Sequence, residues 1–87
     1  MNDLLNIYYV KRTGKLREDE IDSCIVVETS PEEAFMWCPQ RDVKRFICKD
    51  DGMWNAWPVY QMSDVDIKLI GIAASGMQTG VVMHSVY

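Results

Sequence analysis

The segment Ser30-Pro31-Glu32-Glu33 predicts the start of a helix, and this signal limits what the chain can fold into. Serine suits the N-cap, proline suits the first helical position, and glutamate three residues after the cap completes a capping box. Pro39 follows closely and should end the helix near Cys38. So short a helix needs a second layer for its apolar stripe, which consists of Ala34, Phe35 and Cys38, with Trp37 beside them.

Runs of β-branched and aromatic residues on both sides of this helix predict that the second layer is a sheet. The expected strands are Asn6–Arg12, Cys24–Glu28, Val43–Lys49, Val65–Leu69 and a terminal strand that begins at Gly80. The first two should form an antiparallel hairpin across a long polar loop, because sequential strands usually pair. The predicted class is α+β: a small antiparallel sheet of four to five strands with one short helix packed on one face.

Length and charge limit the function as well as the fold. The 87 residues suffice for a single domain, 1–87, and are 48% apolar, with a formal net charge of −4. Nine basic residues against thirteen acidic ones argue against direct binding of nucleic acid. The sequence shows neither an export signal nor an apolar run long enough for a bilayer, and its odd number of cysteines excludes a complete disulfide framework. We therefore expect a cytoplasmic protein that binds no membrane.

The residue types that carry metal or nucleophilic chemistry are few and badly spaced. Cys24, Cys38, Cys48 and His84 number four, but the cysteines lie 14 and 10 residues apart without a C-x-x-C pair. Cys48 and His84 could meet across a sheet, yet no flanking motif supports a nucleophile, and no glycine-rich phosphate loop occurs. We expect small buried cysteines, no metal, no cofactor and no enzymatic activity.

Acidic residues dominate the chain between residues 18 and 33, where seven acids occur without a lysine or arginine. One interpretation is a surface that docks on a basic groove of a partner protein, with Glu18, Asp19, Glu20 and Asp22 as the contact residues. The alternative is structural. The preceding basic residues would fold back in the hairpin and neutralise the first acids as cross-strand pairs: Lys11, Arg12, Lys15 and Arg17.

Aromatic residues recur at every third position in Trp54, Trp57 and Tyr60. Trp54 and Trp57 are candidate anchors for a partner, although the same residues could complete a small core, and a mixture with one tryptophan buried and one at a rim is a third interpretation. They could also stack on a nucleotide base while a neighbouring cation holds its phosphate; the candidates are Arg41, Lys44 and Arg45.

Several short motifs, taken in order, resemble those of small uncharacterised proteins encoded by bacteriophages and prophages. The matching pieces are Tyr8-Tyr9-Val10, Asp19-Glu20-Ile21-Asp22, Ile25-Val26-Val27-Glu28, Ser30-Pro31-Glu32-Glu33-Ala34, Trp54 with Trp57, the stretch from Val65 to Gly71, and Gly80-Val81-Val82. The family carries no agreed activity. The resemblance implies a bacteriophage protein acting in the cytoplasm of a bacterial host.

In size and charge the chain is also similar to anti-CRISPR proteins and other inhibitors of host defence. This analogy implies a monomer or homodimer that binds a host protein through its acidic surface, for instance a CRISPR effector complex that handles nucleic acid. Two alternatives stay open: a protein that sequesters a nucleotide signal, and a phage assembly accessory that self-associates through an exposed strand edge.

Overall fold

The computed structural model describes residues 4–16, 20–39, 43–44, 57, 59 and 61–86. The elements in chain order are β1 (Asn6–Arg12), β2 (Ile21–Glu28), α1 (Pro31–Phe35), β3 (Trp37–Cys38), β4 (Val43–Lys44), a 3-10 turn (Met62–Asp64), β5 (Val65–Ile72) and β6 (Gly80–Val86). Four of the strands form one antiparallel sheet, and one short helix accompanies it, which confirms the predicted α+β class.

The sheet has the strand order β5-β1-β2-β6, and every neighbouring pair is antiparallel. The predicted β1–β2 hairpin is confirmed, with Tyr8 opposite Val26 and Val10 opposite Cys24. Strands β5 and β6 are consecutive in the chain but lie at opposite edges of the sheet. Their connection therefore has to cross the end of the sheet, and near its start Ala73 donates its N–H to the carbonyl of Leu5 at 2.8 Å.

The core lies on one face of the sheet, which we call the inner face. Alternation places Tyr8, Val10, Cys24 and Val26 on this face, where they form a buried cluster with Ala34 of α1. Ile21 also joins the cluster, although in a regular strand it would point to the opposite face. A shift of the β2–β6 register between Ile21 and Ser23 reverses the alternation there.

Helix α1 begins as predicted and ends earlier than predicted. The Ser30 hydroxyl accepts the N–H of Glu33 at 3.2 Å, and Pro31 is the first helical residue. The helix ends at Phe35, whereas the sequence placed its end near Cys38. Cys38 precedes a proline, which disfavours helical backbone, and it lies instead in β3, paired with Val43 of β4. Of the predicted strand Val43–Lys49, β4 is the part within the described residues.

Strand β5 departs from the regular alternation that its sequence predicts. Val65 is buried and Ile67 packs against the core, but Leu69, on the same face, is 57% exposed. Leu69 pairs with Tyr8 whereas Gly71 pairs with Ile7, so Ile70 is an extra residue, a β-bulge. Beyond the bulge the alternation is reversed, which brings Ile72 to the inner face opposite Asn6. The exposed end of β5 therefore has apolar side chains on the face where the core lies.

Candidate partner-binding surface

The acidic residues that the sequence predicts as partner contacts differ in burial where the structure describes them. Glu18 and Asp19 lie outside the described residues. Glu20 is buried, and its Oε1 lies 3.3 Å from Nη1 of Arg12, whose side chain is also buried. This pair matches the structural interpretation, in which basic residues of the hairpin fold back on the first acids. A carboxylate so enclosed and paired has little free surface for a partner, so Glu20 serves the interior of this chain.

Of the predicted contact residues within the described ranges, Asp22 reaches an accessible site. It is half-buried at the β2 irregularity, where its Oδ1 accepts a hydrogen bond from the Ser23 hydroxyl at 3.1 Å. Asp22 lines a groove of about 280 Å³ that spans β1, β2 and β6. The other lining residues are Tyr9, Ser23, Cys24, Ile25, Met83, His84 and Ser85.

The groove has an apolar part and a polar part. Tyr9 and Ile25 are directly opposite each other, and Ile25 is opposite Met83, so the three form one row across the sheet. Alternation puts this row on the outer face, away from α1. Asp22 and two serines supply carboxylate and hydroxyl groups beside it. We call this groove, with its lining residues as named above, the Asp22 groove.

The tryptophans have separate roles. Trp57 is 3% exposed and belongs to the core, whereas Trp54 lies outside the described residues. The core interpretation therefore holds for Trp57, and it cannot anchor a partner without leaving the interior. The sequence predicts that Trp37 belongs to the helix, but it lies in β3, and its indole N–H donates a 2.7 Å hydrogen bond to Oε2 of Glu28. Glu28 is a member of the acidic run between residues 18 and 33, yet it is 2% exposed, so its carboxylate is an internal hydrogen-bond acceptor.

The structure gives His84 a different thiol neighbour from the one considered in the sequence. His84 is directly opposite Cys24, and both line the Asp22 groove, whereas Cys48 lies outside the described residues. Cys24 is buried in the core cluster and His84 is exposed. Within the described residues, no three His, Cys, Asp or Glu side chains are grouped so that they could hold a metal ion.

The nucleotide-binding alternative depends largely on residues beyond the described ones. Arg41, Arg45, Trp54 and Tyr60 belong to that group, and Lys44 is placed in β4 by its backbone. Trp57, the remaining aromatic residue, is enclosed by the core and has no free face on which a base could stack.

Exposed aliphatic side chains are concentrated on the two edge strands. On β5 they are Leu69, Ile70 and Ile72, and on β6 they are Val82 and Met83, each at least half exposed. Sequence reasoning missed this feature because the alternating pattern of β5 predicts that Leu69 is buried. The bulge at Ile70 gives no recognisable sequence signal.

Comparison with known proteins gives no relative: no family model, no curated protein and no solved structure matches the chain. Among the helices of the described residues, none has both the length and the apolar character needed to cross a membrane.

Proposed function

We propose that this chain is a non-enzymatic binding protein that covers a functional surface of a partner protein, and that the Asp22 groove is its contact site. The observation that carries the proposal is the position of Asp22. It is a member of the acidic segment, and it lines the same groove as the apolar row of Tyr9, Ile25 and Met83.

This combination fits a basic side chain of the partner. Lysine and arginine bury their hydrocarbon stems on apolar surface and keep the charged group in a polar environment. In the groove the stem would lie on the Tyr9, Ile25 and Met83 row, and the charged group would pair with the Asp22 carboxylate. The formal net charge of −4 adds long-range attraction toward a basic partner.

The bacteriophage resemblance supplies the setting of the proposal. In that setting the partner is a host protein, and a defence complex that handles nucleic acid, such as a CRISPR effector, has basic grooves of complementary charge. Glu18 and Asp19 lie four and three residues before Asp22 in the sequence and stay in the proposal as additional acidic contacts.

The test compares charge reversals inside and outside the groove. The chain is immobilised, a bacterial host lysate is passed over it, and captured proteins are identified and then purified for affinity measurements. Asp22→Lys should weaken binding roughly tenfold or more, the scale of one lost charge pair replaced by repulsion. Glu32→Lys reverses an exposed carboxylate of α1 outside the groove lining and changes the net charge by the same amount, so it is the matched control and should weaken binding much less.

Salt dependence provides the second arm. Binding of the unaltered chain should weaken as salt is raised, and Asp22→Lys should show a shallower dependence. If Asp22→Lys and the unaltered chain bind the partner with equal affinity, the Asp22 groove is not the contact site. Turnover of any substrate by the purified chain would overturn the non-enzymatic proposal itself.

A further inference from the structure

We infer that the free edge of β5 pairs with β5 of a second copy of this chain, in an antiparallel register centred on Ile67. This goes beyond the proposed function, because β5 and the Asp22 groove lie toward opposite edges of the sheet. A pair formed this way would join two four-stranded sheets into one sheet of eight strands and leave both grooves accessible.

The outer edge of β5 is available for pairing within the described part of the chain. Among the described residues, β5 pairs with β1 on one side and with no strand on the other. An edge strand leaves backbone N–H and C=O groups available to a new strand. Leu69 and its neighbour Ile70 are 57% and 50% exposed, so the edge also has apolar side chains to bury.

Two-fold symmetry restricts the registers in which two β5 strands can pair. A two-fold axis perpendicular to a continuous sheet keeps the inner face of both copies on the same side, so facing residues must come from the same face. Only registers centred on a residue satisfy this condition. Centring on Asp66 would place two carboxylates opposite each other, and centring on Lys68 would oppose two ammonium groups; like charges in directly facing positions are unfavourable.

The register centred on Ile67 makes the charges complementary. Asp66 of each copy then faces Lys68 of the other, and both side chains lie on the outer face, since Asp66 is opposite Lys11 and Lys68 is opposite Tyr9 within the chain. On the inner face, Ile67 meets its own counterpart, and the exposed Leu69 packs beside the second copy's Val65. Charged side chains of opposite sign thus face each other on the outer face, and apolar side chains face each other on the inner face.

The bulge at Ile70 favours this register over those centred on Leu69 or Ile70, and registers centred on Val65 or Gly71 would pair fewer residues of β5. The Ile67 register pairs the segment from Val65 to Leu69, which ends before the bulge. A ladder centred on Leu69 would contain the bulged Ile70 of both copies and would be interrupted on each side of the axis. Lysines and bulges commonly protect edge strands, and here they limit pairing to one register.

The test is sedimentation velocity over a range of protein concentrations, supported by a charge swap. The unaltered chain should show a reversible monomer–dimer equilibrium. Asp66→Lys should weaken dimerisation roughly tenfold, because two symmetric attractions become two repulsions. The double variant Asp66→Lys with Lys68→Asp should restore it. Lys11 faces position 66 within the same chain in both variants, so recovery in the double variant reports the contact between copies.

Leu69→Lys should also give a monomer, whereas the same change at Val82 on the opposite edge strand should leave the dimer intact. Thermal melts of each variant show whether it is folded. A chain that is monomeric at every concentration would overturn the inference. So would a double variant no better than Asp66→Lys, or a Val82→Lys variant as impaired as Leu69→Lys. Because none of these measurements involves a partner protein, failure here is distinguishable from failure of the proposed function.

Discussion

The ion pair between Arg12 and Glu20 makes the sharpest stability prediction. Their side chains are 8% and 7% exposed, and the closest oxygen–nitrogen distance is 3.3 Å. Glu20→Gln keeps the size of the side chain but removes its charge, which leaves the Arg12 guanidinium buried without its counter-ion. Breaking a buried pair from one side costs about 3–5 kcal/mol.

That loss is large for so small a chain. At 0.05–0.15 kcal/mol per residue, a protein of 87 residues has a free energy of unfolding of about 4–13 kcal/mol. We therefore expect Glu20→Gln to lose roughly a quarter or more of the free energy of unfolding. With an m-value of about 1 kcal/mol per M, the urea midpoint should fall by roughly 3–5 M, and a chain of low initial stability should be unfolded without denaturant.

The assay is urea unfolding followed by tryptophan fluorescence, with two comparison variants. Glu32→Gln changes an exposed carboxylate of α1 and should alter stability by no more than about 0.5 kcal/mol. Replacing both members, Arg12→Met with Glu20→Leu, removes the uncompensated charge and should cost less than Glu20→Gln alone.

One result would refute the reasoning. If Glu20→Gln behaves like Glu32→Gln, Glu20 is solvated in solution, and its carboxylate returns to the set of surface acids available to a partner. The expected loss should also be nearly the same at low and high salt, since ions screen buried pairs far less than exposed ones.

Two further predictions concern single groups. Trp37→Phe removes the 2.7 Å hydrogen bond to the buried Glu28 carboxylate and should lower the free energy of unfolding by about 1.5–3 kcal/mol, measured in the same urea assay. Gly76→Ala should cost about 1 kcal/mol, because Gly76 has φ +94° in the turn where Met77 donates to Ala74, although nothing lies within 4 Å of an added Cβ. Gly14→Ala, equally uncrowded and without a positive φ, is its control and should be neutral or slightly stabilising; equal losses at both glycines would contradict the backbone argument.

Local signals in the sequence predict most of the elements, but not β3 and not the arrangement of the strands. The Ser30 cap, the Tyr8 and Val10 alternation and the Gly80 strand start depend on neighbouring residues, and each is found in the structure. The position of β5 beside β1 depends on contacts between residues more than fifty positions apart, such as Val10 with Ile67. No local pattern encodes that pairing.

Bulges explain most of the remaining differences. The irregularity at Asp22 reverses the alternation of β2 and places Ile21 in the core, and the bulge at Ile70 reverses the alternation of β5 and brings Ile72 to the inner face. A bulge is a property of two paired strands, so a single strand's sequence does not announce it. Pairing between strands also decides the candidate site. The sequence shows where the acidic residues are, but the burial of Glu20 depends on Arg12 across the hairpin.

The central position of β1 has a consequence for how the protein is made. One of its neighbours, β2, is synthesised soon afterwards, but the other, β5, emerges from the ribosome only after some fifty more residues. Between the end of β2 and the start of β5, an interval of 36 residues, the nascent hairpin has an open side on which it can associate with other chains. Completion must then wait for long-range loop closure, which predicts refolding in milliseconds to seconds rather than microseconds.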